Sequence, residues 1–238
     1  MPDGQPEIFH TLQGEGASLG APAVFLRLSR CNLSCRWCDT PYTWNFSDSA
    51  NARPEVQQFD RASQTIELSV TELRSLLESY ACYRLVITGG EPLLQQKEIV
   101  ELLGGWSHFS AVEIETNGTI PPSPDLLPLV HQFNVSPKLA HSGDLEKKRV
   151  RPDALAVFQS LPNVWFKFVL SSPADFPEVD QFLLTHYLDR KKVVLMPEGT
   201  TPSALEKASL MLADLCIQRG YRFSPRLHVL LWGDERGK

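Results

Sequence analysis

Three of the five cysteines in this 238-residue chain crowd into one short stretch, Cys31-x-x-x-Cys35-x-x-Cys38. In a reducing compartment an odd count with that crowding favours metal binding or catalysis over disulfides. Three thiolates on one loop can wrap three corners of an iron–sulfur cube, because soft sulfur ligands suit iron. A cluster tied wholly to protein needs four thiolates. The remaining two are poor candidates: Cys82 precedes a strand of buried type, and Cys216 lies on the apolar stripe of a helix. A free cysteine in such places behaves as a small hydrophobe. Three ligands leave one iron open, and an open position is how a metal site holds a substrate. The competing reading is zinc on three cysteines plus a histidine or water. No histidine stands at zinc-finger spacing from the loop.

Other segments carry residues suited to ligands. Arg27 interrupts an apolar run, where an unpaired guanidinium is costly. It either forks onto an anionic ligand or forms a structural salt bridge. Gln13-Gly14-Glu15-Gly16 offers an amide and exposed backbone to a heterocycle edge, or is a solvated turn. Thr88-Gly89-Gly90-Glu91-Pro92 lets backbone approach a ligand closely. Thr40 and Lys138, taken alone, read as a loop threonine and a surface lysine. His10, His108, His131, His141 and His186 have no metal-like spacing and read as structural or solvent-facing.

The elements that must position these residues alternate. Strand-like runs at Ala23–Leu28, Leu85–Thr88, Val112–Thr116, Phe133–Ser136, Trp165–Leu170 and Val193–Met196 are mostly apolar on both faces, as buried parallel strands require. Between them, Val70, Leu73, Leu76, Leu77 and Tyr80 recur at helical spacing behind a Ser69/Glu72 capping box. Lys97–Leu103 and Ala154–Leu161 also read as helices, and a longer stripe from Ala204 to Leu215 starts at Thr201-Pro202 and stops at Gly220. Alternation implies a parallel α/β sheet with its chemistry at the strands' carboxyl ends. The unusual segments fall at those ends: Ser29–Cys38, Thr88–Pro92, Glu115–Gly118, Ser136–Lys138 and Pro197–Gly199. Residues 41–69 lack periodicity and read as an insertion within one domain spanning 1–238.

Composition narrows the function classes. A net charge of −5 argues against a broad nucleic-acid footprint. No apolar run is long enough to span a bilayer. Met1-Pro2-Asp3-Gly4-Gln5 lacks the basic and apolar regions of a secretory signal, so the expected location is the cytoplasm.

The cysteine loop after a first strand, with Thr88–Pro92 ending the second, resembles the radical S-adenosylmethionine (SAM) superfamily. That resemblance implies a 4Fe–4S cluster on Cys31, Cys35 and Cys38 whose open iron chelates SAM. Reduction of the cluster then releases a 5′-deoxyadenosyl radical. The glycine segment would bind the methionine amino group, with Glu91 able to stabilise an ammonium. Thr11-Leu12-Gln13-Gly14-Glu15-Gly16, Arg27, Trp37-Cys38-Asp39-Thr40, Glu115-Thr116-Asn117-Gly118, Ser136-Pro137-Lys138 and His228–Gly233, in that order and spacing, are similar to the 7-carboxy-7-deazaguanine synthase family.

The likeness runs from about Glu7 to the C-terminus. It implies an incomplete or modified (β/α) barrel of about six parallel strands. The expected reaction is ring contraction of 6-carboxy-5,6,7,8-tetrahydropterin, with loss of ammonia, on the path to queuosine and related deazapurines. By the same resemblance Leu12, Gln13, Gly14, Arg27 and Thr88 contact the pterin substrate. Trp37, Cys38, Asp39, Gly90, Ser136, Pro137 and Lys138 contact SAM, Thr40 holds Mg2+, and Glu91, Thr116 and Asn117 line the site. A homodimer and an electron donor such as a flavodoxin are expected partners. Some members end in a proline near the substrate; this chain continues from Gly233 to Lys238, which leaves that contact open. Two other readings stand beside this one: a radical SAM activating enzyme that abstracts hydrogen from a partner protein, and a zinc-stabilised binding module.

Overall fold

All six strands read from the sequence form, and two short ones flank them. The computed structural model describes residues 4–238; Met1, Pro2 and Asp3, part of the N-terminal reading above, lie outside the described residues. The strands are β1 (Ile8–Leu12), β2 (Pro22–Leu28), β3 (Arg84–Gly89), β4 (Ala111–Thr116), β5 (Gln132–Val135), β6 (Val164–Leu170), β7 (Val193–Pro197) and β8 (Arg222–Phe223). They lie in one sheet in chain order. β1 is antiparallel to β2 and every other neighbouring pair is parallel. The two edge strands do not pair with each other, so the barrel is incomplete. Chain from both ends meets over the gap: Gly16 N–H donates to Ser224 Oγ at 2.8 Å, and Leu227 N–H donates to Gly14 O at 2.9 Å.

The two faces of the sheet differ, which corrects the expectation of strands apolar on both sides. Outward-facing Val24, Leu26, Leu85, Ile87, Val112, Ile114, Phe133, Val135, Phe166 and Phe168 join the main core beneath the helices. The inner face carries a small apolar patch of Ala23, Phe25 and Val86 with Phe9 against it. Beyond that patch and the cavity-lining Val169 and Met196, many inner positions are polar: Arg27, Thr88, Glu113, Glu115, Asn134 and Lys167 alternate with the core residues along their strands. A half-filled barrel can keep such groups only if each is paired or faces a ligand space. Glu113 illustrates the pairing, ion-paired with Arg84 and accepting from Asn134 Nδ2 at 2.9 Å.

Helix ends follow the sequence signals. Ser69 Oγ accepts from Glu72 N–H, and the Glu72 carboxylate accepts from Ser69 N–H at 2.8 Å, a complete capping box for Val70–Leu77. Pro202–Arg219 starts at Thr201, whose hydroxyl caps Ala204 N–H, and stops at Gly220 with φ 71°. Gln96–Leu103 and Pro152–Ser160 are helical as expected, and Phe176–His186 and Leu227–Trp232 are two further helices. The 41–69 segment is irregular but organised by Asn45. Its fully buried amide donates to the carbonyls of Arg53, Val56 and Gln57, and its oxygen accepts from Arg53 N–H. No helix among the described residues is long and apolar enough to cross a membrane.

Candidate active site

A cavity of about 440 Å³ opens at the carboxyl ends of the strands. The loop after β2 delivers Cys31, Cys35 and Cys38 to it, while Cys82 and Cys216 lie elsewhere, Cys216 buried in the core. Neutral donors already face the sulfurs: Trp44 Nε1–H donates to Cys38 Sγ at 3.2 Å and Leu33 N–H to Cys31 Sγ at 3.5 Å. Burial pushes all three thiols up, Cys31 to about 12. They are therefore protonated at neutral pH unless a metal takes the proton's place. Among the described residues no three His, Cys, Asp or Glu side chains converge closely enough to hold a single ion. Three thiols lining one cavity are the soft ligands that an iron–sulfur cube takes.

The glycine segment at the end of β3 lies directly against this loop. Gly89 has φ 134°, and a Cβ there would collide with the Leu28 backbone; one at Gly90 would collide with Arg30 O. Both glycines line the cavity, so backbone forms that part of the wall. Glu91 does not line it. Its fully buried carboxylate accepts from Leu93 N–H at 3.0 Å, Thr116 Oγ1–H at 2.8 Å and Asn117 N–H at 2.7 Å. The expected ammonium contact is corrected: Glu91 braces the ends of β3 and β4 together, and Thr116 and Asn117 reach the cavity beside it.

Of the residues expected to contact ligands, Leu12, Gln13, Gly14, Arg27, Thr88, Trp37, Cys38, Asp39, Thr40, Gly90, Ser136 and Lys138 all line this one cavity. Pro137 is buried and does not. Arg27 forms the structural salt bridge. Its Nε–H donates to Glu7 at 2.8 Å, while no hydrogen bond among the described residues uses its two terminal nitrogens. Gln13 Nε2 and Thr88 Oγ1 donate to the two oxygens of Glu115 at 3.1 and 2.9 Å. Trp37 stacks on His141 with centroids 5.4 Å apart, and Lys138 Nζ lies 5.2 Å from the indole while donating to Ser136 Oγ. The indole Nε1 is buried without a hydrogen-bond partner among the described residues.

A charged wall also lines the cavity, and sequence reasoning missed two of its members, Lys167 and Arg226. Glu15 is ion-paired with Lys167 and accepts from Arg226 Nε–H at 3.1 Å. Arg226 is also ion-paired with Asp39 and donates to Gly199 O at 2.6 Å. Burial works against the Glu15 carboxylate, but Lys167, Arg226 and His228 together hold it well below the usual carboxylate range. His228 closes the wall, and a Cβ on Gly14 would strike its ring. Lys167 could have been found, since it interrupts the apolar strand Val164–Leu170 as Arg27 interrupts β2. Nothing in the local sequence marks Arg226.

Comparison with known proteins decides the family. Residues 12–113 match the model of a 4Fe–4S single cluster domain. The chain is 38% identical to the 7-carboxy-7-deazaguanine synthase of Pyrobaculum aerophilum over 98% of its own length and 96% of that protein. It is 31% identical to the synthase of Escherichia coli, with 94% and 96% covered. The chain belongs to the 7-carboxy-7-deazaguanine synthase family. The crystal structure of QueE from Escherichia coli superposes with a TM-score of 0.67 at 29% identity, covering 94% of this chain and 93% of that one. SuiB from Streptococcus suis bound to S-adenosylmethionine shares the fold, with a TM-score of 0.54 at 16% identity. For a synthase of this family the three-thiol cavity fits the cluster that the domain model names. The zinc-module and activating-enzyme readings give way.

Proposed function

We infer that this chain is a radical SAM lyase that converts 6-carboxy-5,6,7,8-tetrahydropterin to 7-carboxy-7-deazaguanine with loss of ammonia, in 7-deazapurine (queuosine) biosynthesis. One observation carries the reading: a single cavity joins three cysteine thiols to an arginine with two uncommitted nitrogens, in a chain that belongs to this family. When bound, the cluster and SAM would supply the one-electron chemistry that starts hydrogen abstraction.

The chain's own residues then hold the reactants. The terminal nitrogens of Arg27 present a planar fork to the substrate carboxylate. Glu115, whose oxygens accept from the neutral donors Gln13 and Thr88 and whose charge also acts on Lys167, accepts from the N–H edge of the pterin, with Leu12 and Gly14 beside it. Phe9 and Phe25, stacked 5.3 Å apart, line the cavity with Val169 and Met196 and keep water from the reacting carbon. Trp37 offers its ring to the adenine of SAM, with Cys38, Asp39 and Gly90 contributing backbone. Ser136 and Lys138 complete that side, and Pro137 acts only by shaping the turn. Thr40 Oγ1, 3.7 Å from Cys38 Sγ, is the Mg2+ ligand in this reading, the rest of the ion's shell coming from substrate oxygens and water.

The same reading makes residues 1–238 one radical SAM domain with 41–69 as its insertion. The enzyme works in the cytoplasm as a homodimer that draws electrons from a donor such as a flavodoxin. Its test is an anaerobic assay of reconstituted enzyme with reductant, SAM, Mg2+ and carboxytetrahydropterin. Carboxydeazaguanine and ammonia are the expected products. A fully loaded enzyme that cleaves SAM without forming either overturns the assignment.

A further inference from the structure

The last residues of the chain return to the cavity from the far edge of the sheet. Leu227–Trp232 follows β8, whereas Glu7 leads into β1 at the opposite edge. The segment after Gly233 crosses between them, and Lys238 reaches the cavity wall. The latch is Arg236. Its Nε–H donates to Glu7 Oε2 at 2.8 Å, its Nη2 lies 2.7 Å from the same oxygen, and its Nη1–H donates to Gln64 Oε1 at 2.8 Å. Its guanidinium also lies 3.7 Å from the centroid of the Tyr42 ring.

Glu7 is thereby divided. Oε1 accepts from Arg27 Nε–H at 2.8 Å and from Tyr42 Oη–H at 3.0 Å, while Oε2 belongs to Arg236. A carboxylate and a guanidinium left to themselves favour two parallel hydrogen bonds. A buried Glu7 with Oε2 free would take a second nitrogen of Arg27, the same nitrogen a substrate carboxylate needs. We propose that Arg236 is a positioning residue: by occupying Oε2 of Glu7 it confines Glu7 to a one-point contact with Arg27 and leaves the Arg27 fork for the substrate carboxylate. The proposal rests on the reading of Arg27 as the carboxylate-binding group.

The test compares anaerobic binding of carboxytetrahydropterin with that of carboxylate-free tetrahydropterin, on the cluster-loaded enzyme with SAM present. Arg236→Ala is expected to weaken the carboxylated ligand about tenfold, the scale of one charge-assisted contact. The carboxylate-free ligand and SAM should stay within about twofold of wild type. Arg236→Lys, which can still hold Oε2, restores most of the preference. The double variant Arg236→Ala with Glu7→Gln also restores it, because a neutral amide does not compete for the fork. If Arg236→Ala fails to fold, Arg236→Met keeps a stem over Tyr42 and serves in its place.

Arg27→Ala separates the two failures. If it keeps the preference for the carboxylated ligand, the Arg27 reading falls and the proposal with it. If Arg27→Ala loses the preference and Arg236→Ala keeps it, the proposal alone is overturned. An Arg236→Ala enzyme that loses both ligands equally, without rescue by the double variant, marks a purely structural role and also overturns it.

Discussion

The two walls of the cavity are built on different principles. On the cluster side, one loop brings three thiols together, and the donors that hydrogen-bond to Cys38 and Cys31 are neutral, an indole N–H and a backbone N–H, with the glycine backbone of the β3 end beside them. Elsewhere in the lining, Glu15, Asp39, Lys167 and Arg226 form interlocked ion pairs drawn from segments far apart in the chain. The first wall takes its three thiols from one loop, which Ser34 and Arg36 tie to Asp144 and Ser142. The second is non-local, and its charges hold one another in place before any ligand arrives. Substitutions on the first should therefore act on loading, and those on the second on geometry and stability.

The largest effect belongs to the cluster wall. Replacing Cys31, Cys35 or Cys38 by alanine removes one of three corners, so iron content, brown colour and SAM cleavage should all be lost, with turnover down by more than about 1,000-fold. The unfolding midpoint of the apoprotein should barely move, since each thiol is a small neutral group there. Retention of iron and of SAM cleavage after all three are replaced would sink the assignment. Arg226→Ala attacks the other wall and should give the opposite signature. Losing one partner of a buried ion pair leaves Glu15 under-compensated, at a cost of about 3 kcal/mol in stability. Turnover should drop about 100-fold as Asp39 and Gly199 lose their common anchor. Iron content should stay at the wild-type level, and parallel loss of iron would mean that the walls are not separable.

The same contrast explains what was legible in the sequence. The cysteine loop, the Thr88–Pro92 segment and the six central strands declare themselves through spacing, glycine and apolar runs, because each is settled within a few neighbouring residues. Glu91 misled for the reverse reason. Its motif is local, but its three hydrogen-bond donors come from Leu93, Thr116 and Asn117, and only the paired ends of β3 and β4 reveal that its carboxylate is already occupied. Arg226 and Arg236 sit in unremarkable C-terminal sequence and gain meaning only when the open barrel brings that segment back across its gap. Apolarity on both strand faces failed as an expectation because the barrel interior is ligand space, where Lys167 and Glu115 are tolerated through pairing.

A milder change probes where the walls meet. Gly14 carries its carbonyl to Leu227 N–H and leaves no room for a side chain against His228. Gly14→Ala would put a methyl far inside contact distance of His228 Nδ1, so the imidazole and its neighbours must move outward by about an ångström, which packed interiors resist. KM for the pterin should rise about tenfold while KM for SAM stays near its wild-type value, since the displaced wall lies away from the thiols. An equal rise in both would place His228 against SAM instead.

The smallest effect is a dependence of stability on pH. Glu15 is held below its ordinary 4.5 in the folded chain, because Lys167, Arg226 and His228 outweigh the cost of burying it. A depressed carboxylate contributes stability above the unfolded value and loses it as the pH falls through the folded one. Between pH 4.5 and the folded value, each unit of acidification removes about 1.4 kcal/mol, so wild type should lose about 2 kcal/mol between pH 5 and 3 from this group alone. Glu15→Gln starts less stable at pH 7, with Lys167 and Arg226 left short of a partner, but its stability should change less with pH, so that the two thermal-unfolding curves converge in acid. The thiols are neutral in both folded and unfolded chains across this range, so Cys35→Ala should run parallel to wild type. A Glu15→Gln curve that also ran parallel would show that the charged wall is not held together by its charges.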